Sequence, residues 1–178
     1  RRHRHAVAAL VEQGATISYY ESHHYDFEPP KWPWLSAIDG RFAHWLDDPP
    51  VRFVQLTKYR KGEADLAPLY ELPELRDVEL GGPGFEDSHV RDLAKHPGIV
   101  RLRLYMPELT DSGLFELKDA RALRVLFVDY AEVTQDGLES LADACPDLII
   151  DCPEMDEQMQ ARMWQREEER TKATQQSR

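Results

Sequence analysis

The chain reads VRFVQL from Val51, LRDVEL from Leu75, IVRLRL from Ile99, LRVLFV from Leu123 and LIIDC from Leu148. The first four of these apolar segments begin 24 residues apart, and the fifth follows the fourth after 25 residues. A fixed period in this range is typical of proteins built from stacked repeats. The sequence therefore predicts about five similar units, of which the first four span residues 51–74, 75–98, 99–122 and 123–147.

Each unit is predicted to contain a strand followed by a helix. Because side chains alternate across a strand, the fourth and sixth residues of each segment should face the core. The polar residues Thr110 and Thr134 are well placed to cap the helices that follow. The predicted fold is α/β, with a parallel sheet on one face and helices on the other. The inward strand residues are Val54 and Leu56, Val78 and Leu80, Leu102 and Leu104, Leu126 and Val128, and then Leu148, Ile150 and Cys152, with Asp151 outward.

The flanks of the repeats differ in composition and are predicted to cap them, because the end units would otherwise expose their core. Residues 1–50 indicate a helix over Arg4–Gln13, a strand in ATISYY (15–20) and a second amphipathic helix over Trp34–Leu46. Residues 154–178 indicate a charged helix with three Met residues on one face, followed by a disordered tail. That helix has two interpretations, of which a cap is favoured over a partner-binding helix.

The charge of the chain excludes some classes of function. Its 22 Lys and Arg stand against 33 Asp and Glu, a formal net charge of −11, which opposes binding to a nucleic-acid backbone.

No stretch is long and apolar enough to span a bilayer, but the chain begins RRHRH, without Met, which leaves a preceding targeting or anchoring segment open. Two cysteines are too few for a metal cage, so free thiols are expected.

The strand pattern followed by LTDSGLFEL (109–117) or VTQDGLESL (133–141) resembles the bacterial leucine-rich repeat. The opening RRHRHAVAALVEQGATISYYE is similar to the N-terminal flank of a subfamily of these proteins, where it commonly follows a short membrane segment. The resemblance implies a curved solenoid that contacts other proteins and has no activity or cofactor of its own. The expected partner is therefore a protein, and a membrane contact is expected only through an anchor that precedes this chain.

If the sheet forms the concave wall, its outward residues are the candidate site. They form an acidic row, a basic row and a partly apolar row: Asp77 and Glu79; Arg101, Arg103 and Tyr105; Val125, Phe127 and Asp129. Two interpretations stay open. In the first, the carboxylates only pair with the arginines of the adjacent strand. In the second, a binding patch is centred on Arg101, Arg103, Tyr105 and Phe127, because Arg and aromatic residues are common at binding hot spots.

Two other classes of function remain as alternatives. A scaffold or spacer would need no tight ligand. A metal-dependent enzyme could use His23 and His24 with Asp26 and Glu28, joined by His44. Adjacent histidines in a polar loop, however, point in divergent directions. The sequence contains no G-x-S-x-G, phosphate-binding loop or H-E-x-x-H motif. We therefore expect a non-enzymatic protein-interaction module.

Overall fold

The computed structural model describes residues 2–19, 50–57 and 64–153. Within these ranges it contains a six-stranded sheet and four α-helices. In chain order they are α1 (Arg2–Glu12), β1 (Thr16–Ser18), β2 (Phe53–Thr57), β3 (Asp77–Gly81), α2 (Asp87–Ala94), β4 (Arg101–Tyr105), α3 (Asp111–Phe115), β5 (Val125–Asp129), α4 (Gln135–Ala144) and β6 (Ile149–Asp151). Two 3-10 helices span Ala67–Glu71 and Glu116–Asp119.

The strands lie in the sheet in the order in which they occur along the chain. β2 to β6 are parallel, and β1 is antiparallel to β2 at the edge. Val54 lies beside Val78, then Leu102, Leu126 and Ile150, so that equivalent residues of successive units are neighbours. This confirms the predicted strands and their register, in an α/β fold with a mostly parallel sheet.

The inward side chains of the strands form the core. The eight predicted positions on β2 to β5 are at most 1% exposed. Ile150 and Cys152 are also buried, whereas Asp151 between them is exposed, as predicted. Burying one such aliphatic side chain contributes about 1.5–3 kcal/mol, so the repeated pair in each strand holds the units together.

The helical side is less regular than predicted. The first unit has a 3-10 helix, not an α-helix, in a segment where Pro68 lies at its amino end and removes a backbone donor. The third unit changes from α3 to 3-10 geometry at Glu116. In both units i to i+3 bonds, such as Ala120 N–H to Leu117 O at 3.0 Å, lead the chain back towards the next strand.

The predicted amino-terminal helix and strand are confirmed. α1 ends before Gly14, whose φ of +83° suits a glycine stop. The Gln13 side chain joins this flank to the first unit, because its amide donates to Asp65 O at 3.1 Å and accepts the Asp65 N–H at 2.9 Å. The second predicted helix (34–46) and the predicted C-terminal segment (154–178) lie outside the described residues.

Successive helices are linked by what we call the Asp–Thr ladder: Asp87 to Thr110, and Asp111 to Thr134. The Asp87 carboxylate accepts the backbone N–H of Thr110 at 3.0 Å and its hydroxyl at 2.6 Å. Asp111 accepts the same two donors of Thr134, each at 2.7 Å. Thr134 also caps α4 as predicted, by accepting the Gly137 N–H at 3.1 Å. Thr110 occupies the cap position without a side-chain cap bond, which corrects the prediction.

The ladder also explains the glycine of each LTDSGL-type segment. A Cβ on Gly113 would lie 2.1 Å from Asp87 Oδ1, and a Cβ on Gly137 would lie 2.1 Å from Asp111 Oδ1. Each carboxylate therefore occupies the space that a larger residue would need in the next helix.

Candidate binding surface

The eight predicted site residues lie on three adjacent strands and belong to the outer face of the sheet, opposite the core. The register aligns them in three rungs across β3, β4 and β5: Asp77, Arg101 and Val125; Glu79, Arg103 and Phe127; Gly81, Tyr105 and Asp129. β6 extends the first two rungs with Ile149 and Asp151. The structure thus brings all eight side chains to one face.

The first rung contains a closed ion pair. Arg101 donates through Nε to Asp77 Oδ1 at 2.5 Å and through Nη2 to Oδ2 at 2.8 Å. Asp77 is 0% exposed and the Arg101 side chain is 22% exposed. Asp77 lies on the outer face as predicted, but it is buried there by its pair with Arg101. A buried carboxylate must be paired with a cation or hydrogen-bonded to remain charged, so here the pair is part of the sheet.

The second rung carries the same two charge types but does not pair them. Glu79 accepts a hydrogen bond from Gln55 Nε2 at 2.6 Å. The Arg103 guanidinium carbon lies 5.2 Å from the centre of the Phe127 ring, a cation–π contact. Of the two ion pairs that the sequence suggested, one forms and the other does not. Arg103 and Phe127 are both half-buried, so they present charge and ring at the surface.

Immediately after the third rung, on the carboxyl side of Asp129, lies a residue that the sequence analysis missed. Tyr130 follows β5, is 72% exposed and has a φ of +55°. The Asp129 carboxylate accepts its N–H at 2.8 Å. A side chain in the left-handed region costs about 1–2 kcal/mol, and the residue two units earlier, Gly82 with a φ of +101°, adopts this region without that cost. Tyr130 occupies the position that is Gly82 two units earlier, and this substitution of a tyrosine for a glycine is the sequence signal that could have identified it.

Two clefts lie elsewhere in the described part of the chain. A groove of 360 Å³ lies between α3 and α4, but its carboxylate Asp111 is already bonded to Thr134. A cleft of 190 Å³ lies beside Cys145. Burial, and then the charge of Asp119, raise the pKa of the Cys145 thiol. The protonated thiol is a poor nucleophile, so Cys145 is a poor candidate for catalysis.

The described residues show neither a metal-ligand cluster nor a membrane-spanning helix. Residues 2–19, 50–57 and 64–153 contain no group of three or more His, Cys, Asp or Glu placed to hold a metal ion. His23 and His24, the alternative ligands, lie outside these ranges. Nor does any helix within them combine the length and the apolar character needed to cross a membrane.

In comparisons with known proteins, no family model matches the chain, and no curated protein matches it. The outer face of the sheet is therefore the basis on which a function can be argued.

Proposed function

We propose that this chain is a leucine-rich-repeat solenoid of the bacterial type, whose outer sheet face is concave and binds another protein without catalysis. The 24-residue register of β2 to β5 and the Asp–Thr ladder support the repeat assignment. The observation that carries the binding function is the Arg103–Phe127 pair, which is half-buried and lies beside a fully satisfied ion pair.

The chemistry of this pair suits protein recognition. Arginine and aromatic residues dominate the binding energy of many protein interfaces, since they combine a large apolar area with directional donors. Arg103 has its guanidinium on a ring and no ion pair with Glu79, so its N–H groups can meet an acceptor from a partner. Tyr130 adds an exposed ring at the end of the neighbouring strand.

The test compares two variants that each remove a cation–π pair. Arg103→Ala with Phe127→Ala removes the pair on the outer face. Phe115→Ala removes the pair on the helical side, where the Lys118 Nζ lies 4.2 Å from the Phe115 ring, and keeps the Lys118 side chain. Immobilised protein is exposed to an extract of the source organism, and bound proteins are quantified by mass spectrometry.

We expect the outer-face variant to capture its specific partner at least about tenfold less, as for a hot spot worth roughly 1.4 kcal/mol or more. The helical-side variant should capture as the parent protein does, and the unfolding temperatures of all three should be nearly the same. Undiminished capture by the outer-face variant would show that the Arg103–Phe127 surface is not the binding site.

A scaffold or spacer is the second candidate, and the closed Asp77–Arg101 pair favours it. On that view the polar residues of the outer face only connect strands. The same capture experiment separates the two functions, because a spacer should retain no protein specifically.

A further inference from the structure

The 190 Å³ cleft beside Cys145 lies where β5 and β6 begin, away from the helix amino ends joined by the ladder. Two residues of its wall, Ala120 and Cys145, occupy the same position of successive units, three residues before the next unit begins. In the two earlier units this position is Leu72 and His96. Leu72 and His96 are buried, whereas the smaller Ala120 and Cys145 are only half-buried. The two small side chains leave the gap between the third and fourth units.

The rim of this cleft is basic, in contrast to the net charge of −11 for the whole chain. Lys118, Arg121 and Arg124 line it together with the carboxylate of Asp147, and the Asp119 carboxylate is near enough to act on Cys145. All three cations are exposed. Leu117, Leu123 and Leu148 form its buried floor.

Arg124 is held in position by the backbone. Its Nη1 donates to Arg121 O at 3.0 Å and to Leu123 O at 2.8 Å. Neither bond uses Nε or Nη2, the edge of the guanidinium that commonly binds both oxygens of a carboxylate. A guanidinium that is already oriented loses less entropy on binding than a free one.

The size of the cleft restricts its occupant. Sites for small molecules and cofactors commonly enclose about 300–1,000 Å³, which exceeds the space available here. One side chain of a peptide fits better, and the positive rim selects one that carries a negative charge.

We propose that this cleft binds an acidic side chain, Asp or Glu, of a protein partner, with Arg124 as the principal contact and Arg121 as the second. This site is separate from the outer-face patch and extends the proposed function with a second contact of stated chemistry. Because the chain as a whole repels anions, any binding of an acidic probe here must come from local geometry.

The probe is N-acetyl-glutamate amide, titrated into the full chain and followed by two-dimensional NMR of the backbone amides. N-acetyl-glutamine amide is the neutral control, and N-acetyl-alanine with a free carboxylate reports on a chain terminus. We expect the glutamate compound to shift the amides of Ala120, Cys145 and Asp147, and the glutamine compound to leave them in place.

Three variants decide the outcome. Arg124→Gln should weaken binding of the glutamate compound at least about threefold, as expected for the loss of a charge-assisted bond. Arg124→Lys should weaken it in the same direction, because the planar fork is lost. Arg91→Gln, an equal change of charge at an exposed position on α2, should have no effect.

The proposal fails if the shifts are scattered over the surface, if the glutamine compound produces them equally, or if Arg124→Gln binds as the parent does. Tighter binding of the alanine compound, or of inorganic phosphate in a parallel titration, would also overturn the assignment to an acidic side chain. None of these results depends on Arg103 or Phe127, so this inference and the proposed function can fail separately.

Discussion

The Asp–Thr ladder and the outer face of the sheet both place polar residues at equivalent positions of successive units, but only the ladder repeats its chemistry. Asp87 and Asp111 each bind the N–H and the hydroxyl of a threonine 23 residues later. On the outer face, by contrast, Asp77 is paired with Arg101 while Glu79, two residues along, is not paired with Arg103. Polar groups that recur in matched form hold the units together, and those that do not are the candidates for recognition.

The largest effect on stability is expected where a mostly buried ion pair would lose one of its partners. Asp77→Ala leaves Arg101 on the sheet without its carboxylate and should lower the free energy of unfolding by about 2–3 kcal/mol, as measured by urea denaturation. Glu79→Ala is the matched control on the same strand and face, and the loss of its bond to Gln55 should cost about 0.5–1 kcal/mol. Equal losses would show that the two rungs do not differ.

Breaking the ladder should have an intermediate effect. Asp111→Ala removes both bonds to Thr134, and we expect the free energy of unfolding to fall by about 1–2 kcal/mol. Asp143→Ala, at an exposed position of α4, changes the charge equally and should cost less than about 0.5 kcal/mol. If both variants unfold at the same urea concentration, the ladder contributes nothing to stability.

The smallest effect on stability, opposite in sign, is expected at Tyr130. Tyr130→Gly relieves the left-handed backbone and should leave stability unchanged or raise it by up to about 1 kcal/mol, while it weakens capture of the outer-face partner. Gly82→Ala at the equivalent turn should instead destabilise by about 1 kcal/mol. A clear loss of stability in Tyr130→Gly would mean that its ring packs as part of the fold.

The strands could be predicted because the apolar period states their position, spacing and inward residues directly. Val54, Val78, Leu102 and Leu126 follow from counting alone, and the register confirms them. The 25-residue spacing before Leu148 also allowed a correct prediction, because the one extra residue keeps Asp151 exposed and Ile150 buried.

The polar contacts could not be predicted, because each depends on which of several nearby hydrogen-bond partners is the most favourable. The Thr110 hydroxyl binds the carboxylate of the preceding unit and not an amide of its own helix. His96 occupies a position that is Leu72 in the previous unit; its Nε2 lies 3.2 Å from Leu69 O and its Nδ1 accepts the Gly98 N–H at 3.1 Å. Burial lowers the pKa of His96, which favours the neutral ring in that pair of bonds.

The candidate site was predictable as a set of residues but not as a set of contacts. Period two placed all eight side chains on one face, and this did not require knowledge of their surroundings. Whether Arg103 turns to Glu79 or to Phe127 depends on small differences between an exposed ion pair and a cation–π contact, each worth about 1 kcal/mol or less. Sequence spacing carries no information on differences of that size.

The ladder has a consequence for how the length of the molecule can change. Residues 99–122 carry both a threonine that binds the preceding aspartate and an aspartate that binds the following threonine. A tandem copy of this segment would reproduce every bond of the ladder at its new junction. Residues 123–147 carry Gln135 in place of the aspartate, and its amide donates within its own helix to Glu139. A copy of residues 99–122 would therefore extend the Asp–Thr ladder, whereas a copy of residues 123–147 would not supply its aspartate.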